Sequence, residues 1–266
     1  MPAPEDHELD GFAWRESGRG ALVLFLHGLG GSRVSWDAQL PVVGVDRRAV
    51  AWDMPGYGAA APLPDPLTFA ALAAAAARCI AVLGHTDAHV VGISMGGMVA
   101  QYLAAWHPAC VRSLTLLSTS PAFGLDGTDP AAWTAGRLAP LDQGLEPADY
   151  APRVVDALAA RGASAEARAS QVAAMARVPG TALRRSIAVL PTHDSRALLP
   201  GIAAPALVMV GSEDRETPPA YAEHLATLLP HATLEVVPGA GHLLNAEAPG
   251  PVNDAILRHL ERVEHP

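Results

Sequence analysis

Ser94, Asp214 and His242 are of the types that activate a hydroxyl for attack on a carbonyl carbon. Ser94 stands in Gly92-Ile93-Ser94-Met95-Gly96. Small flanking residues allow a sharp strand-to-helix turn that forces the central serine into a strained backbone. The hydroxyl is then exposed at a helix N-terminus, where N–H groups and the dipole favour developing negative charge. A serine there can instead do no more than cap the helix. The β-type run before it and the helical pattern after it favour a nucleophile. A hydroxyl nucleophile needs a base, and eleven histidines compete. His242, in Gly239-Ala240-Gly241-His242, follows the last strand-like run, which places it at the carboxyl edge of a sheet where ligands bind. His85, His89, His107, His193, His224 and His231 fall at helix or strand ends and are expected to be solvated or capping. His7, His259 and His265 lie towards the termini. The base needs an orienting carboxylate. Asp214, in Gly211-Ser212-Glu213-Asp214, ends another strand-like run. Its neighbour Glu213 is the rival, but adjacent residues point different ways and Asp214 is preferred.

A tetrahedral intermediate also needs N–H donors for its oxyanion. His27-Gly28-Leu29-Gly30-Gly31 follows the first central strand-like run and can present them. The main-chain nitrogens of Leu29 and Met95 are the expected pair. The loop lacks the lysine pattern of a phosphate-binding loop. Asp53, opening Asp53-Met54-Pro55-Gly56-Tyr57-Gly58, is read as a structural turn residue.

These residues must be held by a sheet. Short apolar runs at residues 21–26, 48–52, 88–93, 113–117, 206–210 and 233–237 alternate with helical patterns at 68–83, 96–106 and 252–263. Such alternation predicts a mostly parallel, doubly wound α/β sheet. Residues 120–199 carry no convincing strand. They are rich in Ala, Arg and Pro, with helical pieces near 150–161, 165–177 and 181–190. They are expected to form a helical cap inserted in a core made by residues 1–119 and 200–266.

Half of the 266 residues are hydrophobic, and aromatics are 5%, so the core must rest on Ala, Val and Leu. The net charge is −9, and all 18 basic residues are scattered arginines, with no lysine. An acidic chain without a basic patch argues against nucleic acid and anionic membranes as partners. Cys79 and Cys110 suggest no disulfide framework, which fits a reduced cytoplasmic setting. The acidic N-terminus lacks the order of a signal peptide. The apolar stretch at 70–77 is too short to span a bilayer.

Five motifs, HGLGG, DMPGYG, GISMGG, GSED and GAGH, run in this order from residue 27 to residue 242. Together they resemble the α/β-hydrolase family, which implies that fold and a nucleophile–acid–base order of Ser94, Asp214 and His242. GISMGGMVAQYLA and HGLGGSRVSW look like the 3-oxoadipate enol-lactonase group, with carboxylesterases sharing most of the match. The resemblance implies hydrolysis of a small ester or lactone through an acyl-enzyme on Ser94. Meta-cleavage-type carbon–carbon bond hydrolysis would use the same triad. Dehalogenase and epoxide hydrolase activities are disfavoured, since those relatives usually carry Asp at the elbow; a haloperoxidase-like side activity stays open. The reading from another class is a non-catalytic binding protein that keeps the pocket. No cofactor is expected, and no metal either, because no H-E-x-x-H or clustered ligand pattern is present. Trp133 is the candidate apolar wall of the substrate pocket. An inward-turned arginine among Arg137, Arg153, Arg161, Arg168, Arg177, Arg184 and Arg185 could bind a substrate carboxylate bidentately. The oligomeric state leaves no mark in the sequence.

Overall fold

The computed structural model describes residues 3–265. Its eight-stranded sheet comprises β1 (Glu5–Leu9), β2 (Phe12–Ser17), β3 (Leu22–Leu26), β4 (Arg48–Trp52), β5 (Ala88–Ile93), β6 (Val111–Leu117), β7 (Ala206–Gly211) and β8 (Ala232–Val237). Their spatial order is β1-β2-β4-β3-β5-β6-β7-β8. Strands β3 to β8 pair in parallel, whereas β1 and β2 are antiparallel.

The central strands are apolar on both faces because both faces are covered. Period-two alternation sends Leu24, Val50, Val90, Leu114 and Val208 to one face, and Val23, Phe25, Ala49, Val91 and Leu207 to the other. The first face packs against α2 (Phe69–Val82), α3 (Met95–Trp106) and α8 (Pro219–Leu228). The second packs against α1 (Leu40–Val43) and α10 (Pro249–Glu264), with a short α9 (Leu244–Glu247) beside them. The Thr68 hydroxyl caps α2 by accepting from the Ala71 N–H at 3.1 Å.

The chain leaves β3 for β4 on one side and returns to β5 on the other. Where successive strands diverge in this way, a crevice opens beyond their carboxyl ends. The loops after β3 and β5 therefore face each other, and they carry Gly28–Gly31 and Ser94.

Between β6 and β7 lie α4 (Pro130–Asp142), α5 (Pro147–Leu158), α6 (Ala165–Met175) and α7 (Gly180–Val189). The two ends of this excursion are zipped together: Ala122 bridges Asp194, and the Phe123 N–H donates to the His193 carbonyl at 2.9 Å. Helices α4 and α8 do not stand out in the sequence as separate pieces. The hairpin β1–β2 is a larger departure, because the N-terminal segment reads only as acidic. Its strand β1 is a mostly exposed edge with no apolar alternation.

Candidate active site

Ser94 ends β5 and opens α3 with φ 52° and ψ −120°. A left-handed backbone costs a non-glycine residue on the order of 1–3 kcal/mol, so the surroundings must impose it. The two elbow glycines show how. A Cβ on Gly96 would lie 2.1 Å from the Leu26 carbonyl oxygen, and one on Gly92 would lie 2.5 Å from that of Gly96. Strand β3, the elbow and α3 thus approach closer than any side chain permits. The Ser94 side chain makes no capping hydrogen bond. Its carbonyl instead accepts from the Thr119 hydroxyl at 2.8 Å. The Gly28 loop passes directly over the serine; a Cβ on Gly28 would sit 3.1 Å from Ser94 Cβ. Met95 is the first residue of α3, where an N–H has no partner within the helix.

His242 is buried, and its Nδ1 lies 3.1 and 3.0 Å from the two carboxylate oxygens of Asp214. Asp214 is buried as well, while Glu213 beside it is exposed. The Asp214 carboxylate accepts from the N–H groups of Glu216 and Thr217 and from the Thr217 hydroxyl at 3.0, 2.9 and 3.0 Å. Burial pushes the carboxyl up, but the His242 charge and these donors outweigh it and hold it below the ordinary range. For His242, burial pushes the imidazole down, and the charge and hydrogen bond of Asp214 more than offset it, leaving a net rise. An imidazole oriented through Nδ1 in this way keeps Nε2 for proton transfer.

Sequence reasoning missed two supports of this loop. Thr217 clamps Asp214 and lies 3.3 Å from His242 Nδ1. Its spacing, three residues after the aspartate, is the available signal. Glu247 accepts from the N–H groups of Gly241 and Leu243 around His242, and from that of Ala160 at the end of α5. No spacing rule points to it.

Ser94 and His242 line one pocket of about 110 Å³, together with Leu29, Trp133 and apolar residues of α5, α6 and α7. Of the expected residues, Ser94, His242, Leu29 and Trp133 line this pocket, while Asp214 lies against His242 and Met95 follows Ser94 at the start of α3. Of the eight arginines in residues 120–199, Arg137 alone lines the pocket. It is already engaged: its guanidinium pairs with Glu216 at 2.5 Å and lies 5.3 Å above the Trp133 ring. Arg168, Arg184 and Arg185 pair with Asp156, Asp142 and Asp65, and Arg153, Arg161 and Arg177 are exposed.

Three expectations need correction. Asp53 is more than a turn residue: it is fully buried, accepts the Arg33 N–H at 2.9 Å and pairs with that guanidinium at 3.4 Å. His89 and His193 are buried rather than solvated. Ser113 and the Ser120 carbonyl supply polar partners at 2.8 Å each, which replace water. His259 near the C-terminus is buried too. Both cysteines are free, and no helix among the described residues is long and apolar enough to cross a membrane. Among the described residues no group of three or more His, Cys, Asp or Glu is placed to hold a metal ion.

A family profile described as alpha/beta hydrolase fold matches residues 21–249. The chain belongs to the α/β-hydrolase fold family. Among its relatives, a pimeloyl-acyl-carrier protein methyl ester esterase of Chromobacterium violaceum is 34% identical over 218 residues, which is 79% of this chain and 82% of that one. Among solved α/β-hydrolase structures, a thermophilic esterase from Thermogutta terrifontis superposes with a TM-score of 0.85 at 27% identity, covering 95% of this chain and 93% of its own. An enol-lactonase from Burkholderia xenovorans superposes with a TM-score of 0.83 over 96% of this chain and 99% of its own. At 21% identity, that likeness speaks for the fold alone.

Proposed function

We propose that this α/β-hydrolase cleaves a small carboxylic ester or lactone through an acyl-enzyme on Ser94. The observation that carries the proposal is the strained, uncapped Ser94 sharing one pocket with a buried His242 held by Asp214. His242 takes the Ser94 proton as the oxygen attacks the substrate carbonyl. Leu29 and Met95 donate their main-chain N–H groups to the oxyanion, and His242 returns the proton to the leaving oxygen. Water then attacks the acyl carbon by the same route and releases the acid. Asp214 holds the imidazole tautomer and stabilises its cation without taking the proton. The esterase names of the relatives support an ester over a carbon–carbon bond. Residues 120–199 are read as a cap over a core of residues 1–119 and 200–266, with Trp133 as part of its apolar wall. Glu216 neutralises Arg137, which favours an uncharged substrate over one bearing a carboxylate.

The test pairs a fluorophosphonate probe with a screen of p-nitrophenyl esters and lactones. Labelling that Ser94→Ala abolishes, with ester or lactone turnover, is the expected result. A native serine that does not label, on a protein that turns over neither, overturns the proposal and leaves the binding-protein reading.

A further inference from the structure

We propose that the acyl side of the pocket is built for a straight chain carrying a neutral hydrogen-bond acceptor near its far end, received by the hydroxyl of Tyr150. This inference rests on the ester-hydrolase reading and names the substrate class of that same site.

Helix α5 supplies the ruler. Tyr150, Val154 and Leu158 recur every four residues and line the pocket along one stripe of the helix. Leu158 marks the catalytic end, because its carbonyl accepts the His242 N–H at 3.1 Å. At 1.5 Å of rise per residue, Tyr150 lies about 12 Å further along the helix axis. His242 must touch the leaving oxygen to protonate it, so the alcohol belongs at the Leu158 end. The part of the pocket remote from His242 is therefore the acyl side.

Along this end of α5 the lining is apolar except for one hydroxyl. Tyr150 lines the pocket while only 7% exposed, and its hydroxyl has no hydrogen-bonding partner. Tyr57 and Ser186 face each other outside the pocket lining, so Tyr150 presents the buried, unpartnered hydroxyl here. Such a hydroxyl is costly unless a ligand completes it.

The same surroundings choose a neutral acceptor. Glu146 and Arg184, outside the lining, act on Tyr150 with opposite charges, and the arginine that lines the pocket, Arg137, is spent on Glu216. A carboxylate pushed to this end would be desolvated with no free cation to meet it. Size sets the chain. An apolar cavity of about 150 Å³ takes a benzene, and the whole pocket, catalytic end included, holds about 110 Å³, so the acyl chain must be short and unbranched.

The test compares kcat/KM for p-nitrophenyl hexanoate, 5-oxohexanoate and the mono-ester of adipate, in the native enzyme and in Tyr150→Phe. The expected native order is oxohexanoate above hexanoate by about fivefold, the yield of one hydrogen bond to a buried hydroxyl, with adipate lowest. Tyr150→Phe should bring the oxo-to-plain ratio to within about twofold of one. The ratio does not follow a general loss of folded enzyme, so an unstable variant still reports. Equal kcat/KM for both neutral esters, a ratio kept by Tyr150→Phe, or a preference for adipate overturns the inference while leaving the ester-hydrolase reading intact. No turnover of any ester, with no labelling of Ser94, overturns both.

Discussion

At the carboxyl edge of the sheet, His242 is buried beside Asp214 and its imidazole is shifted up. At the amino edge, His89 and His259 are equally hidden from solvent, yet both are shifted down, His259 to about 4. Burial acts the same way on all three and opposes the cation. The partners differ. Asp214 is committed to His242 alone among charged groups, whereas Glu264, which lies 3.3 Å from His89, is taken by Arg47 at 2.6 Å. Arg47 and Arg112 depress His89 further, and Arg262 and His89 depress His259. A buried histidine thus has its protonated form favoured at one edge and disfavoured at the other, according to which cation each nearby carboxylate already serves.

The largest effects should break the carboxyl-edge half of this comparison. Ser94→Ala or His242→Ala should lower kcat by about 10⁴–10⁶-fold with the fold retained. Steady-state ester turnover within tenfold of the native rate would remove the assigned role. Asp214→Asn should cost somewhat less, about 10⁴-fold. Glu213→Gln, at an exposed site, should stay close to native. If Glu213→Gln proves the worse of the two, the carboxylate has been misassigned.

The pH profile sharpens the point. His242 must be neutral to act as base, so kcat/KM should fall on the acid side with a midpoint above the ordinary histidine value of about 6.5. In the residual activity of Asp214→Asn, burial is opposed only by the weaker influence of Glu216, and the midpoint should drop below it. An acid limb that does not move shows that Asp214 is not what raises His242.

Glu216 offers a third test, because it serves Arg137 as Glu264 serves Arg47. Glu216→Gln frees the pocket guanidinium. It should improve a carboxylate-bearing ester relative to its neutral analogue by about tenfold in kcat/KM. An unchanged ratio means that Arg137 does not face the substrate.

The smallest effect is on stability, and the two edges differ in sign. His259 is depressed in the folded protein, so its contribution is present above the unfolded value and is lost as pH falls from about 6.5 towards 4. The loss is on the order of 2–3 kcal/mol. His242 is raised, so its contribution is present below about 6.5 and is lost as pH rises through its folded value. Denaturant unfolding between pH 4 and 8 should show His259→Gln flattening the acid arm. An acid arm identical to the native one refutes the assignment for His259.

The sequence by itself determined whatever depends on near neighbours. The apolar runs of β3 and β5, the Gly92–Gly96 elbow that forces Ser94 into a left-handed turn, and the chain order of Ser94, Asp214 and His242 are all readable from spacing of a few residues. That only one of the neighbours Glu213 and Asp214 can reach His242 was readable too, but the turn after β7 decides that it is Asp214. Tertiary structure decided what depends on contacts between distant segments. Strand β1, five residues of which four are exposed, becomes a strand only because β2 offers it a hydrogen-bonding edge. Glu216 meets Arg137 across 79 positions, and Glu247 reaches Ala160 across 87. Neither separation leaves a periodic signal. Which arginine turns inward, which histidine is buried without a carboxylate of its own, and which hydroxyls stay unpaired are likewise decided by how α4 to α7 settle on the sheet. A side chain's charge state and partners follow from what packs against it, and a local pattern does not contain that information.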